Sequence, residues 1–185
     1  GSSAGSDAAY LQAADALGAL MVQHQIDLVY GGGNVGLMGR IADAVMTRGG
    51  AVIGVIPKFL MEKELGKIEL PHLRVVNSMH ERKAMMADLA DGFIALPGGF
   101  GTLEELAEVL AWSQLGLHGK PVGLLNIAGF YDHLLRFFDH AVTQKLIKPR
   151  HRQLLLESAD PAHLFVLLAA WTPAQSPQWI RPDQI

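Results

Sequence analysis

A glycine-rich segment with two adjacent carboxylates, LPGGFGTLEE at residues 96–105, is the part of this sequence best suited to chemistry. Its glycines allow left-handed backbone conformations, so several N–H groups can converge on one phosphate-sized anion. The segment lacks the lysine of the GxxxxGK(S/T) loop, which argues against transfer from a nucleoside triphosphate. The pattern therefore predicts a monophosphate site that involves Gly98, Gly99, Gly101 and Thr102.

The two acids of this segment also have a purely structural explanation. Thr102 and Glu105 have the spacing of a capping box, in which the hydroxyl and the carboxylate bond to N–H groups at a helix start. Glu104 would point about 100° away from Glu105 on a helix, and an anion in the first turn favours the macrodipole. Whether either acid faces a ligand is left open by this segment alone.

A second charged segment, SMHERKAMM at residues 78–86, begins the preceding helix. Arg82 and Lys83 lie near its amino end, where the macrodipole disfavours cations. Ordinary pairing with Glu81 or Asp88 would compensate for these charges. The alternative partners are a ligand phosphate or an active carboxylate, both expected at the same edge of a parallel sheet.

The loop GGGNVGLMG formally matches the dinucleotide fingerprint GxGxxG through Gly31, Gly33 and Gly36. A dinucleotide site also needs an acid about 20 residues further on to bind the ribose hydroxyls. Here the second strand ends instead in Ile-Pro-Lys at 56–58. We therefore expect a turn that lets the backbone approach a smaller nucleotide or another helix, with Gly33 as the candidate substrate contact.

Composition limits the partners of the protein. The 185 residues carry a net charge of −3 with scattered lysines and arginines, so nucleic acid is not expected. The apolar stretch 164–171 is far shorter than the ~20 residues of a membrane-spanning helix, so no membrane partner is expected.

The sequence also indicates which cofactors and compartment to expect. It has no cysteine, which excludes disulfides and cysteine-based zinc sites and suggests a reducing, cytoplasmic compartment. Its eight histidines show no HExxH spacing, and His80, the nearest to the charged segments, suits a surface or capping role. We therefore predict neither a metal nor a cofactor.

The elements that must position these segments alternate regularly between apolar strands and amphipathic helices. Runs of Val, Ile and Leu between helices predict an α/β fold with a doubly wound, mostly parallel sheet and helices on both faces. One domain over residues 1–185 is expected, with an irregular or short helical excursion over 57–70. The predicted strands are 26–33, 51–56, 73–78, 92–97 and 120–126, and the predicted helices are 7–24, 35–48, 80–90, 102–116, 130–144 and 161–171.

Taken together, these segments resemble the Lonely Guy family of cytokinin riboside 5'-monophosphate phosphoribohydrolases, often mislabelled as lysine decarboxylase. SMHERKAMM followed by PGGFGTLEE, the PGGxGTxxE signature, carries the resemblance. VYGGGNVGLMG, GGAVIGVIPKFL, WSQLGLHGKPVGLLN and GFYDHLLRFFDHAV extend it from residue 1 to about residue 147. The resemblance implies a Rossmann-like fold, a homodimer and a nucleoside 5'-monophosphate substrate, cleaved between an adenine-type base and ribose 5-phosphate.

The resemblance also implies roles for individual residues. Arg82 and Glu105 match the catalytic pair. A carboxylate can stabilise the oxocarbenium-like sugar or activate water, and an arginine can orient the carboxylate, the phosphate or the departing base. The positions that match nucleotide-phosphate contacts are Lys83, Gly99, Gly101 and Thr102, and Glu64 matches a further substrate-binding glutamate.

Two departures from the family pattern bear on the site. The family's first strand does not occur in this sequence, and we expect it to precede residue 1 in a longer protein. GSSAG, which includes Ser2, takes the place of the loop after that strand and is expected to help bind the nucleotide. Ala111 stands where many relatives have threonine, which weakens any inference about the base pocket.

Two other functions are compatible with the sequence. One is a general AMP or nucleoside-monophosphate nucleosidase, without selectivity for an N6-prenylated adenine. The other is a non-catalytic nucleotide or cofactor carrier module, in which the loops hold phosphate and nothing is cleaved. The presence of both Arg82 and Glu105 argues against the carrier. Helices rich in Leu, Met and Trp around residues 85–115 favour a homodimer, although core burial explains most of them.

Overall fold

Parallel strands joined by crossover helices make up both halves of the chain. The computed structural model describes residues 3–64 and 70–173, without the side chains of 62–64. The chain divides into two compact units, Gly1–Ala90 and Asp91–Ile185, and each unit contains a three-stranded sheet. The α/β class predicted from the sequence is confirmed, while the single domain stays a prediction.

In its described residues, the first unit combines a parallel sheet with four helices. Its elements are α1 (Ala8–Gln23), β1 (Leu28–Tyr30), α2 (Gly36–Met46), β2 (Val52–Pro57), α3 (Lys58–Glu64), β3 (His72–Val76) and α4 (Met79–Leu89). β2 is the central strand and pairs in parallel with β1 and with β3. The last pair of β1 with β2 is Tyr30 with Gly54, so β2 extends beyond the carboxyl end of its neighbour.

Local sequence explains how this unit begins. The Asp7 carboxylate accepts a hydrogen bond from the Ala9 N–H at 2.9 Å and caps α1. α1 then packs against α2 through small residues. A Cβ added at Gly18 would lie 2.7 Å from the Cβ of Ala44, so glycine permits the close approach of the two helices.

The second unit repeats the parallel arrangement. Its elements are β4 (Phe93–Ala95), α5 (Phe100–Leu115), β5 (Val122–Leu125), a 3-10 turn (Ile127–Gly129), α6 (Asp132–Thr143), α7 (Pro149–Arg152), β6 (Leu155–Ser158) and α8 (Pro161–Ala169). β5 is central and pairs in parallel with β4 and with β6. Every residue of β5 is buried, so both faces of this strand are covered. The core of the unit is formed by Leu106, Val122, Leu124, Tyr131, Leu135 and Leu155.

The sequence predicts most elements to within a few residues but misses α7 and β6. β6 is only four residues long, and its alternation of burial is irregular, so periodicity gives little signal. Tertiary ion pairs connect α7 to its neighbours. The Arg152 guanidinium binds Asp139 of α6 at 2.8 Å and Glu157 of β6 at 3.1 Å. The excursion expected over 57–70 contains α3. None of the helices in the described part of the chain is long and apolar enough to cross a bilayer.

Candidate functional site

The amino end of α5 presents backbone donors that have no acceptor within the helix. Gly99 is the N-cap and has extended backbone angles (φ −92°, ψ −152°) without a side-chain cap. The N–H of Leu103 bonds to the Gly99 carbonyl at 3.0 Å and begins the intrahelical ladder. The N–H groups of the residues before Leu103 therefore have no acceptor within the helix. Such a helix end favours an anion through its N–H groups and its dipole.

The glycines of this loop serve close approach and open space rather than left-handed backbone. The left-handed conformations that these glycines allow are not used, because none of Gly98, Gly99 and Gly101 has a positive φ. A Cβ at Gly98 would lie 2.1 Å from Oγ1 of Thr102, so the threonine side chain occupies that space. A Cβ at Gly99 or Gly101 would meet nothing within 4 Å, which leaves room at the helix end.

The capping-box explanation of Glu105 is also wrong. α5 begins at Phe100, two residues earlier than predicted, so Thr102 is its third residue and Glu105 its sixth. A capping box would need Thr102 at the N-cap, which is Gly99 instead. Glu105 is half-buried and Glu104 is exposed, as expected for neighbours that point in different directions on a helix.

Tyr131 anchors the base of this loop and was missed by the sequence analysis. Its hydroxyl donates a hydrogen bond to the Leu96 carbonyl at 2.6 Å. The hydroxyl oxygen of Tyr131 also accepts a hydrogen bond from the backbone of Gly98. Burial raises the pKa of Tyr131 to about 12, although the bond from Gly98 acts to lower it. No sequence signal identifies this contact, because it joins residues 35 positions apart.

In the first unit, α4 begins with a complete capping box. The Ser78 hydroxyl accepts a hydrogen bond from the Glu81 N–H at 3.1 Å. The Glu81 carboxylate in turn accepts from the N–H of Asn77 at 2.7 Å. Glu81, one of the expected partners of Arg82, is therefore explained by the helix cap.

Arg82 is a buried cation at the carboxyl end of β1. Its residue is only 9% exposed, and its Nε donates to the Val55 carbonyl at 3.2 Å. A Cβ at Gly31 would lie 1.9 Å from Nη2 of Arg82, so the guanidinium occupies the space that a larger residue would fill. The first glycine of the fingerprint is thus required by an arginine. The charge lies where α/β sheets bind ligands.

The remaining glycines of the first loop lie near the amino end of α2. Gly36 has φ +63° where α2 begins, and Gly33 is buried against Met38. The N–H of Leu37 bonds to the Ser3 carbonyl at 3.2 Å, which brings the amino-terminal segment to this helix end. Ser2 itself lies outside the described residues.

The other predicted positions fall as follows. Lys83 is half-buried and follows Arg82 on α4, while His80 is exposed. Glu64 is the last residue of α3, and its side chain lies outside the described part of the structure. Among the described residues, no three His, Asp or Glu side chains are grouped so as to hold a metal ion.

Within the first unit, the structure brings Arg82 against Gly31. Within the second, it places Gly98, Gly99, Gly101, Thr102 and Glu105 on one loop and helix start. The predicted site residues are thus divided between the two units, and their roles stay predictions.

The sequence matches one family and many curated relatives. The family described as "Possible lysine decarboxylase" matches residues 38–168. A probable cytokinin riboside 5'-monophosphate phosphoribohydrolase of Oryza sativa subsp. japonica is 53% identical over 94% of this chain and 76% of its own length. A cytokinin riboside 5'-monophosphate phosphoribohydrolase of Arabidopsis thaliana is 50% identical over 94% of this chain and 81% of its own. Another from Oryza sativa is 49% identical over the whole chain and 76% of its own.

Solved structures give a more distant likeness. The molybdenum cofactor carrier protein of Chlamydomonas reinhardtii aligns with a TM-score of 0.68 and 22% identity, over 91% of each chain. The molybdenum cofactor binding protein of Rippkaea orientalis aligns with a TM-score of 0.67 and 23% identity, over 89% of this chain and 88% of that one. At these identities the likeness shows a shared fold and nothing more.

Opposite effects on stability are expected from two glycine substitutions in the second unit. Gly98→Ala must displace Thr102 and should lower the free energy of unfolding by about 1–3 kcal/mol. Gly101→Ala meets open space inside a helix and should raise the free energy by about 0.5–1 kcal/mol. Urea unfolding of both variants measures the difference. Equal effects of the two substitutions would contradict the close contact at Gly98.

Proposed function

This chain belongs to the family of cytokinin riboside 5'-monophosphate phosphoribohydrolases, and from that premise we propose that it hydrolyses N6-modified AMP to a free base and ribose 5-phosphate. The proposal depends on one structural observation above all. α5 begins on a glycine with open space around it, and the half-buried Glu105 follows within two turns as the sixth residue of the same helix. An anion-binding end and a carboxylate therefore belong to the same rigid helix.

The 5'-phosphate is proposed to bind at the amino end of α5. The N–H groups from Gly99 to Thr102 supply donors, and the macrodipole of a sixteen-residue helix adds a favourable field. Thr102 contributes its hydroxyl from a position fixed against Gly98. Lys83, Gly33 and the segment that includes Ser2 are further proposed substrate contacts, together with Glu64 and Glu104.

Glu105 is the proposed catalytic carboxylate. In the reaction, water adds to the anomeric carbon, the bond from this carbon to the base nitrogen breaks, and the base leaves with the bonding electrons and takes up a proton. Positive charge develops on the sugar, so a carboxylate can act by stabilising that charge or by accepting a proton from the water. A well-placed group of this kind contributes about 2–4 kcal/mol to the barrier reduction.

Arg82 is the second proposed catalytic residue. Its guanidinium is always charged and presents several donors in a fixed plane. Burial at the end of β1 and the bond to the Val55 carbonyl restrict its orientation. Such a fixed cation suits an interaction with the phosphate, the carboxylate or the departing base.

We also propose a homodimer in the cytoplasm, supported by the surface of α4. Arg82 is the buried residue of this eleven-residue helix, whereas its apolar side chains are at least partly exposed. Leu89 is 41% exposed, and Met85 and Met86 are half-buried. A helix that buries an arginine and exposes methionine and leucine suits contact with a second copy of the chain.

A dimer predicts a solution mass of twice 20.0 kDa. Leu89→Glu should shift the protein toward the monomer, because a charge at an apolar interface is costly to desolvate. Val166→Glu, at an exposed position of α8, is the matched control and should leave the mass unchanged. Sedimentation analysis at several concentrations measures both, and a monomer at every concentration in the unmodified protein would contradict the proposal.

A panel of three substrates tests the reaction and its selectivity. We expect release of base and ribose 5-phosphate from N6-isopentenyladenosine 5'-monophosphate with a kcat/KM at least about tenfold above that of AMP, since added apolar contact can supply about 1–3 kcal/mol. The nucleoside without phosphate should be the poorest substrate. Equal rates on AMP would indicate a general nucleosidase, and tight binding without cleavage would indicate a carrier.

The role of Glu105 is tested by replacement of one carboxylate oxygen. Glu105→Gln should lower kcat by about 100-fold or more, while nucleotide binding measured by calorimetry is retained. Glu104→Gln changes the adjacent, exposed acid in the same way and should lower kcat by less than about tenfold. A variant at Glu105 with nearly normal turnover would exclude it as the catalytic carboxylate.

A further inference from the structure

We propose that Tyr131 is a positioning residue for the 5'-phosphate, whose hydroxyl fixes the backbone on both sides of Pro97 and so holds the N–H groups at the start of α5 in place. The inference rests on the proposed function, because it assigns this residue to the same phosphate site. The PGGxGTxxE signature does not include Tyr131, and the sequence analysis gives this residue no role.

The first step is the bonding of one oxygen atom. The Tyr131 hydroxyl donates to the Leu96 carbonyl, at 2.6 Å, and accepts from the N–H of Gly98. Pro97 lies between them, is buried and has no N–H of its own. The hydroxyl therefore uses both its donor and an acceptor site to bridge the turn from β4 to α5.

The second step is that Tyr131 is itself held rigidly. Its backbone N–H donates to Oδ1 of Asn126 at 2.7 Å, and Nδ2 of Asn126 donates to Asp132 at 2.8 Å. Tyr131 is 2% exposed, and its ring lies perpendicular to the ring of Phe130, with the two centroids 4.8 Å apart. These contacts restrict the position of the Tyr131 hydroxyl, and its hydrogen bonds in turn restrict the position of the loop.

The third step separates the hydroxyl from the ring. The Tyr131 ring belongs to the same core as Leu106, which follows Glu105 on α5. Removal of the hydroxyl alone leaves this packing, and with it the helical turn that carries Glu105, in place. Removal of the hydroxyl loosens the segment before the helix. The affinity for the phosphate should therefore change more than kcat.

The protonation state of Tyr131 fits this role. Burial keeps the pKa of the phenol near 12, so the hydroxyl retains its proton, and its bond to Leu96, at neutral pH. The folded-state pKa lies above the ordinary value of about 10, so the bond is intact below pH 10. The contribution of this protonated hydroxyl to the free energy of unfolding is lost as the pH rises from about 10 to about 12.

Tyr30 offers a matched control in the other unit. It is 5% exposed, and burial, with the Asp43 charge acting in the same direction, raises its pKa to about 12. Its hydroxyl is buried without a hydrogen-bond partner within the described residues. Tyr30→Phe and Tyr131→Phe thus delete the same atom from equally buried rings, but only the second deletes hydrogen bonds.

The experiment compares these two variants with the unmodified protein. For Tyr131→Phe, we expect KM for the nucleoside monophosphate and the calorimetric Kd for ribose 5-phosphate to rise about tenfold, which corresponds to one lost charge-assisted or neutral hydrogen bond. The kcat should change less than about threefold, and the Kd for free adenine should not change. Tyr30→Phe should leave all four quantities within about twofold.

Hydrogen exchange provides a second measurement that needs no enzyme activity. In the unmodified protein the Gly98 amide should be protected although it lies in a loop, and Tyr131→Phe should raise its exchange rate by about tenfold or more. Fast exchange of this amide in the unmodified protein would overturn the proposal.

Two further results would also overturn it. One is an unchanged Kd for ribose 5-phosphate in Tyr131→Phe, and the other is an equal loss of affinity for ribose 5-phosphate and adenine, which indicates a general structural defect. Failure of the proposed function is distinct, because it appears as no base release by the unmodified protein. The ribose 5-phosphate titration and the exchange rate still decide the role of Tyr131 in that case.

Discussion

In the proposed function, the amino end of α5 leaves N–H groups open to a ligand while the helix behind it stays rigid, and several features of the second unit fit this constraint. Unsatisfied donors at a helix end are stable when water or an anion reaches them. Gly99 and Gly101 keep the surroundings open, whereas Gly98 allows the Thr102 side chain to lie against the backbone. Core packing of Leu106 and the bridge from Tyr131 hold the two sides of this end.

In the first unit, the buried charge of Arg82 imposes a related constraint. Burying a guanidinium costs free energy unless polar groups surround it. Arg82 has the Val55 carbonyl on one side and the Cα of Gly31 on another, so its position is set by β2 and by the absence of a side chain. Both units therefore use glycine to make space for a side chain of the proposed site, Thr102 in one and Arg82 in the other.

The sequence predicts the parallel α/β class, most helices and the family, because apolar periodicity and the spacing of short motifs are local properties. It fails where a result depends on distant residues or on one or two positions of a helix start. α5 begins at Phe100 rather than at position 102, which removes the capping role of Glu105. Tyr131 and β6 depend on tertiary contacts that no local pattern encodes. The loop glycines do not use the left-handed backbone that glycine allows; Gly98 instead permits the close approach of Thr102, a contact that the motif does not encode.

The central claim is that a sugar phosphate binds at the start of α5 with the Glu105 carboxylate beside the anomeric carbon. A crystal structure of the Glu105→Gln variant with an N6-modified adenosine monophosphate tests this most directly. We expect phosphate oxygens about 3 Å from the N–H groups between Gly99 and Thr102, and the side chain at 105 within direct or one-water contact of the anomeric carbon. A phosphate bound elsewhere, with that side chain bonded to its own helix and more than about 8 Å from the ribose, would contradict the claim.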